Sequence, residues 1–146
     1  MPRYFTLAQA QRLLPEVGAA IRQAVAQKDI FQTADNDLQN ALRRIAMLGG
    51  TLVERDRVME LKSRREVSAS QLKEAIETVH SFGCLVKDLD TGLVDFPTLY
   101  RGAEVYLCWR MDEPSIEFWH AIEDGFRGRK PIDQEFLDNH RGERTN

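Results

Sequence analysis

Apolar residues recur at seven-residue spacing through most of the first fifty positions. One row runs Ala10, Val17, Ala24, Phe31, Leu38, Ile45, and the alternate row runs Leu7, Leu14, Ile21, Lys28, Asp35, Leu42. Ten of these twelve positions are apolar, which favours a long amphipathic helix with one packed seam at coiled-coil spacing. Thr6-Leu7-Ala8-Gln9 has the form of a capping box, with Phe5 placed as a hydrophobic staple. Pro15 removes one N–H and should bend the helix. The polar stretch from Thr33 to Asp37 is either a loop between two helices or a polar layer in one; the unbroken seam favours one continuous helix.

Gly49-Gly50 is the first strong punctuation. A second helix is expected over Thr51 to Phe82, with Leu52, Val58, Leu61, Leu72, Ile76 and Val79 on its stripe and Gly83 as C-cap. Its middle, Arg55 to Glu66, carries charges of both signs, as a solvated face does. The two helices make an antiparallel hairpin. One face is left over, to be covered by the rest of the chain or by a second copy, and the expectation is a homodimer with a four-helix contact.

Beyond Gly83 the pattern changes period. Cys84 to Lys87 reads as a short strand, Asp90-Thr91-Gly92 as a turn, and Leu93 to Phe96 as a second strand that ends, or lies at an edge, at Pro97. Glu104 to Arg110 alternates, with Val105, Leu107 and Trp109 on one side and Tyr106, Cys108 and Arg110 on the other. After the turn at Asp112–Ser115, Ile116 to Ala121 alternates again, which would set Cys108 or Tyr106 opposite Phe118 or His120. The fold class is α+β: a single domain over 1–146, with a helical hairpin over 4–83, a small antiparallel meander of three to four strands over 84–131 and a polar, fraying tail over 132–146.

At 146 residues the chain has the length of one domain, and its net charge of −3 gives no basic footprint for nucleic acid. No apolar run approaches the ~18 residues a membrane span requires. Met1 to Phe5 lacks the apolar stretch of a signal peptide. Cys84 and Cys108 form no CxxC pair, so buried, reduced thiols in a cytoplasmic protein are expected.

The motifs Gly92-Leu93-Val94-Asp95-Phe96-Pro97, Val105 to Arg110, the Glu113-Pro114 turn, Phe118-Trp119-His120 and Gly125 to Pro131 resemble, in order, the bacterial domain-of-unknown-function family numbered 2203. Tyr4 to Leu7 and Leu13-Leu14-Pro15 resemble that family's opening. The resemblance, over about 4–131, implies a helical hairpin with a small sheet and carries no catalytic roles.

The candidate chemistry lies in the C-terminal block. His120 is the one histidine inside a patterned strand, and Asp95, Glu117 and Cys108 are its candidate partners in acid–base or metal-assisted catalysis. Against this, a histidine on a strand is more often a hydrogen-bonded structural residue, and Cys108 a buried, inert thiol. Asp88, Asp90 and Asp95 give a DxDxG string whose simplest use is turn chemistry. Arg110, Arg127, Arg129 and His120 would hold a small anion if the sheet brings them together. His120 with a carboxylate is also the outline of a site for zinc or another divalent ion, but one sequence shows no three converging ligands, so no metal set and no cofactor is assigned. Two functional classes follow: a binding or interaction module that self-associates through its helices, holding a small anion or a protein partner, and a small enzyme built on His120.

Overall fold

The computed structural model describes residues 3–142. Two long helices form a hairpin and are followed by an antiparallel sheet. Helix α1 runs Leu7–Leu48 without interruption, with Pro15 inside its third turn. The Thr6–Gln9 capping box forms in both directions: Gln9 N–H donates to Thr6 Oγ1 (3.1 Å) and Thr6 N–H to Gln9 Oε1 (2.9 Å). Helix α2 runs Leu52–Ser81. It opens on a second capping box that sequence reading passed over, Thr51 with Glu54.

By their contacts the described residues divide into two compact units, 23–75 and the remainder. In the first unit the paired helices bury Leu38, Val58 and Leu61 together, with Ala41 and Ile45 beside them. Of the expected α2 stripe, Val58, Leu61 and Val79 are buried and Leu72 and Ile76 half-buried. Leu52 is exposed, and the seam passes through Val58, Leu61, Arg65, Ser68 and Ala75. Two polar residues on that seam explain why its apolar pattern is faint. Arg65 reaches across to Asp35 of α1 at 2.9 Å, and the buried Ser68 hydroxyl donates to the Arg65 carbonyl. The polar stretch at 33–37 is therefore a polar layer within a continuous helix.

The second unit holds the sheet. Its path is β1 (Leu85–Asp88), β2 (Leu93–Tyr100), β3 (Ala103–Arg110), β4 (Phe118–Ala121) and β5 (Lys130–Pro131), all antiparallel. A sixth strand, β6 (His140–Arg141), pairs with the far end of β2. Among the described residues the sheet has six strands where three or four were expected, the additions being two-residue pairings with no sequence period to betray them.

Pro97 neither ends β2 nor puts it at an edge. Strand β2 pairs with β3 along its whole length, from Leu93↔Arg110 to Tyr100↔Ala103. On the opposite side β1 reaches only as far as Asp95 and β6 begins at Leu99. Pro97 falls in the gap between them, where its carbonyl accepts from Phe5 N–H at 2.8 Å. The missing N–H is therefore spent where no strand needs it.

One face of the sheet carries Val94, Phe96, Val105, Leu107 and Trp109, all buried in one cluster with Phe5, Ala10, Val17 and Ile21. Trp109 is buried as expected, its indole N–H donating to the Glu113 carbonyl at 3.0 Å. Gly18 lets α1 approach it: a Cβ there would stand 3.4 Å from the Trp109 ring and 3.0 Å from Arg22. Trp119 packs instead against Tyr100 and Phe136.

The tail is structured rather than fraying. Asp133 caps α3 (Gln134–Asn139), its carboxylate accepting from Phe136 N–H at 2.8 Å. Phe136 is fully buried against Tyr100 and Trp119, and His140 Nε2 accepts from Leu7 N–H at the start of α1 (3.0 Å). Residues 143–146 of the expected tail lie outside the described residues. The apolar residues Ile132, Phe136 and Leu137 are the signal that was outweighed by the polar composition around them. Replacing Phe136 by Ala should cost ~3–5 kcal/mol in denaturant unfolding, whereas Leu137→Ala, at a 37% exposed side chain, should cost under about 1 kcal/mol.

Candidate functional site

The face of the sheet opposite the apolar cluster presents Asp95 and Pro97 from β2, Tyr106, Cys108 and Arg110 from β3, and Phe118 and His120 from β4. The register sets Asp95 directly opposite Cys108, Cys108 opposite Phe118, and Tyr106 opposite His120. Asp95 and His120 therefore stand on strands that are not neighbours, and their side chains meet over β3. The small Cys108 side chain leaves room for that crossing.

The contact is a buried one. His120 Nε2 lies 3.0 Å from Asp95 Oδ2, with side-chain exposures of 3% and 1%. His120 Nδ1 lies 2.8 Å from the Ala121 carbonyl oxygen. A carbonyl can only accept, so Nδ1 carries a proton and donates it. Nε2 then faces a carboxylate oxygen, which also accepts when ionised. One further proton must sit between Nε2 and Oδ2, whether formally on the imidazole or on the carboxyl. The dyad is neutral overall in either description, which is what burial demands.

Burial pushes the Asp95 carboxyl above the usual carboxylate range, and the charge and hydrogen bond of His120 pull it partway back. Among the described residues, Asp95 Oδ1 is a buried oxygen with no hydrogen-bond partner. The Cys108 thiol adjoins the same carboxyl. One ligand atom each from Asp95, Cys108 and His120 lies within 4.8 Å of the others. Burial first, and the negative charge of Asp95 second, push the Cys108 thiol up to about 12. Burial likewise pushes Cys84 up to about 12.

The centre is closed by an arginine clamp. Arg129 makes two hydrogen bonds of 2.9 Å to the two oxygens of Glu113, at side-chain exposures of 12% and 10%. Its guanidinium is held between Phe118 and Phe126, 4.0 and 4.3 Å from their ring centres. Glu113 also accepts from the Arg110 backbone N–H at 2.8 Å.

Of the residues singled out from sequence, Asp95, Cys108 and His120 come together and Glu117 does not. Glu117 is exposed and accepts from Ser115. Of the four anion candidates, Arg110 and Arg129 both lie over the Phe126 ring, and three of the four are already paired with acids. Arg110 pairs with Asp112, Arg129 with Glu113 and His120 with Asp95, and Arg127 is exposed on the 3-10 turn Phe126–Gly128. Asp88 serves its turn, accepting from Asp90 N–H and the Thr91 hydroxyl. Glu113 is the participant that sequence reading missed. It looked like a turn residue, and nothing local ties it to an arginine sixteen positions away.

The chain matches the model of the uncharacterised conserved protein family DUF2203 over residues 3–132. It belongs to that family. No curated protein and no solved structure matches it. In this DUF2203 protein no described helix is long and apolar enough to cross a membrane.

Two predictions follow from the geometry. Removing His120 strands a buried carboxyl, so His120→Ala should cost ~3–5 kcal/mol. Asp95→Asn can still donate a hydrogen bond to Nε2 and should cost under about 1 kcal/mol by the same denaturant titration. For the thiols, the folded chain keeps Cys84 and Cys108 protonated up to about 12, whereas the unfolded chain ionises near 9.0. Their contribution to stability is complete below pH 9.0 and lost as pH rises toward about 12. Neither should react with a thiol reagent in the native protein at neutral pH, and both should react once it is unfolded.

Proposed function

We propose that this DUF2203 protein is a non-enzymatic interaction module of the bacterial cytoplasm that self-associates through the helical hairpin of residues 23–75. The observation that carries the reading is the apolar surface of that unit. Ile30, Leu42, Met59 and Val67 are exposed along its helices, and Met47, Leu48, Leu52 and Val53 at the connecting turn are 76–79% exposed. Two paired helices bury only a thin core, here Leu38, Val58 and Leu61 with small residues around them, and a further layer is the usual remedy. A second copy of the same hairpin supplies it with a self-complementary contact.

The enzymatic alternative has less support. A Cys/His nucleophile pair needs an imidazole nitrogen free to take the thiol proton. Here Nδ1 is committed to Ala121 and Nε2 to Asp95, and the thiol is pushed up to about 12. A substrate also has no route to side chains that are at most 3% exposed. An anion at the arginines would have to displace Asp112 or Glu113 from their pairs.

Light scattering on the purified protein should give twice the 16.8 kDa chain mass. Ile30 and Val67 are 41% and 52% exposed, so the double substitution Ile30→Arg with Val67→Arg should halve the mass without changing the helical circular dichroism. A monomeric wild-type protein at micromolar concentration would refute the reading.

A further inference from the structure

We propose that Asp95, Cys108 and His120 form a binding site for one divalent transition-metal ion, with zinc the best fit to their donor set. A thiolate sulfur, an imidazole nitrogen and a carboxylate oxygen are the ligands zinc takes, at about 2.0–2.3 Å. Ligands at those lengths in a tetrahedron stand about 3.3–3.8 Å apart. The three donor atoms already lie within 4.8 Å of one another, with Nε2 and Oδ2 at 3.0 Å. Closing onto an ion therefore needs only small side-chain movements.

Two further observations support the site. First, His120 already makes the contact that orients a ligating histidine: Nδ1–H donates to the Ala121 carbonyl at 2.8 Å, which leaves the Nε2 lone pair to point into the cluster. Second, Asp95 Oδ1 is buried with no hydrogen-bond partner among the described residues. Bidentate ligation by Asp95 would give that oxygen a partner and the ion its fourth donor.

The charges balance. Binding expels the proton between Nε2 and Oδ2 and the thiol proton of Cys108. One divalent cation replaces two protons, so the net charge of the buried centre does not change. That exchange explains how so enclosed a cluster can hold an ion at all. Because the ligands are closed off in the folded chain, the ion enters as the protein folds.

The test uses untagged protein, unfolded with a chelator, stripped and refolded with cobalt(II) as the probe. The expected result is one cobalt per chain with the visible bands of a tetrahedral site and a thiolate-to-cobalt charge-transfer band. Cys108→Ser, which preserves side-chain size, should abolish the charge-transfer band and weaken binding by more than about 100-fold, the upper end of what an outer-shell change costs. Cys84→Ala should leave both intact. A wild-type protein that refolds without taking up cobalt, or a charge-transfer band that survives Cys108→Ser, would overturn the assignment.

Discussion

The pairing of β2 with β3 decides what each face of this sheet contains. Eight consecutive residue pairs, from Leu93↔Arg110 to Tyr100↔Ala103, fix it. In that register Val94, Phe96, Leu107 and Trp109 fall on the side packed with the start of α1, and Asp95, Cys108 and Tyr106 on the other. A slip of one residue on β2 would put a carboxylate into the apolar cluster and Phe96 among polar groups. The apolar cluster and the Asp95–His120 dyad are thus two consequences of one register.

The dyad in turn constrains β4. His120 reaches Asp95 only if β4 lies on the outer side of β3 with Tyr106 opposite His120 and Cys108 opposite Phe118. Strand β4 has only four residues, so its ladder alone holds it weakly. A buried, proton-sharing bridge over β3 and the Arg129–Glu113 clamp tie its neighbourhood to the sheet. Buried polar pairs of this kind add specificity more dependably than stability. Here the specificity is strand position.

Much of this fold is legible in the sequence because it is periodic. The continuous helix α1, the capping box at Thr6 and the alternation of Val105, Leu107 and Trp109 each reflect a local rule that the structure obeys. The misreadings share a different cause. Pro97 is tolerated inside β2 because the side its missing N–H would face is a gap between β1 and β6, crossed by Phe5. The apolar pattern of α2 is faint because Arg65 and Ser68 share its seam with Val58 and Leu61. The tail is polar in composition, yet Phe136, His140 and the β6 pairing hold it to the sheet unit. In the site, an acid set between Val94 and Phe96 was the visible anomaly. That Asp95, Cys108 and His120 meet, and Glu117 stays apart, depends on cross-strand register that no single strand encodes.

The central claim is that Asp95 and His120 act as one buried unit. A double-mutant cycle with Asp95→Ala, His120→Ala and the double variant, measured by denaturant unfolding, tests it most directly. The account predicts a coupling energy of about 2 kcal/mol, the double variant losing much less than the two single losses combined. Losses that add to within about 0.5 kcal/mol would contradict it.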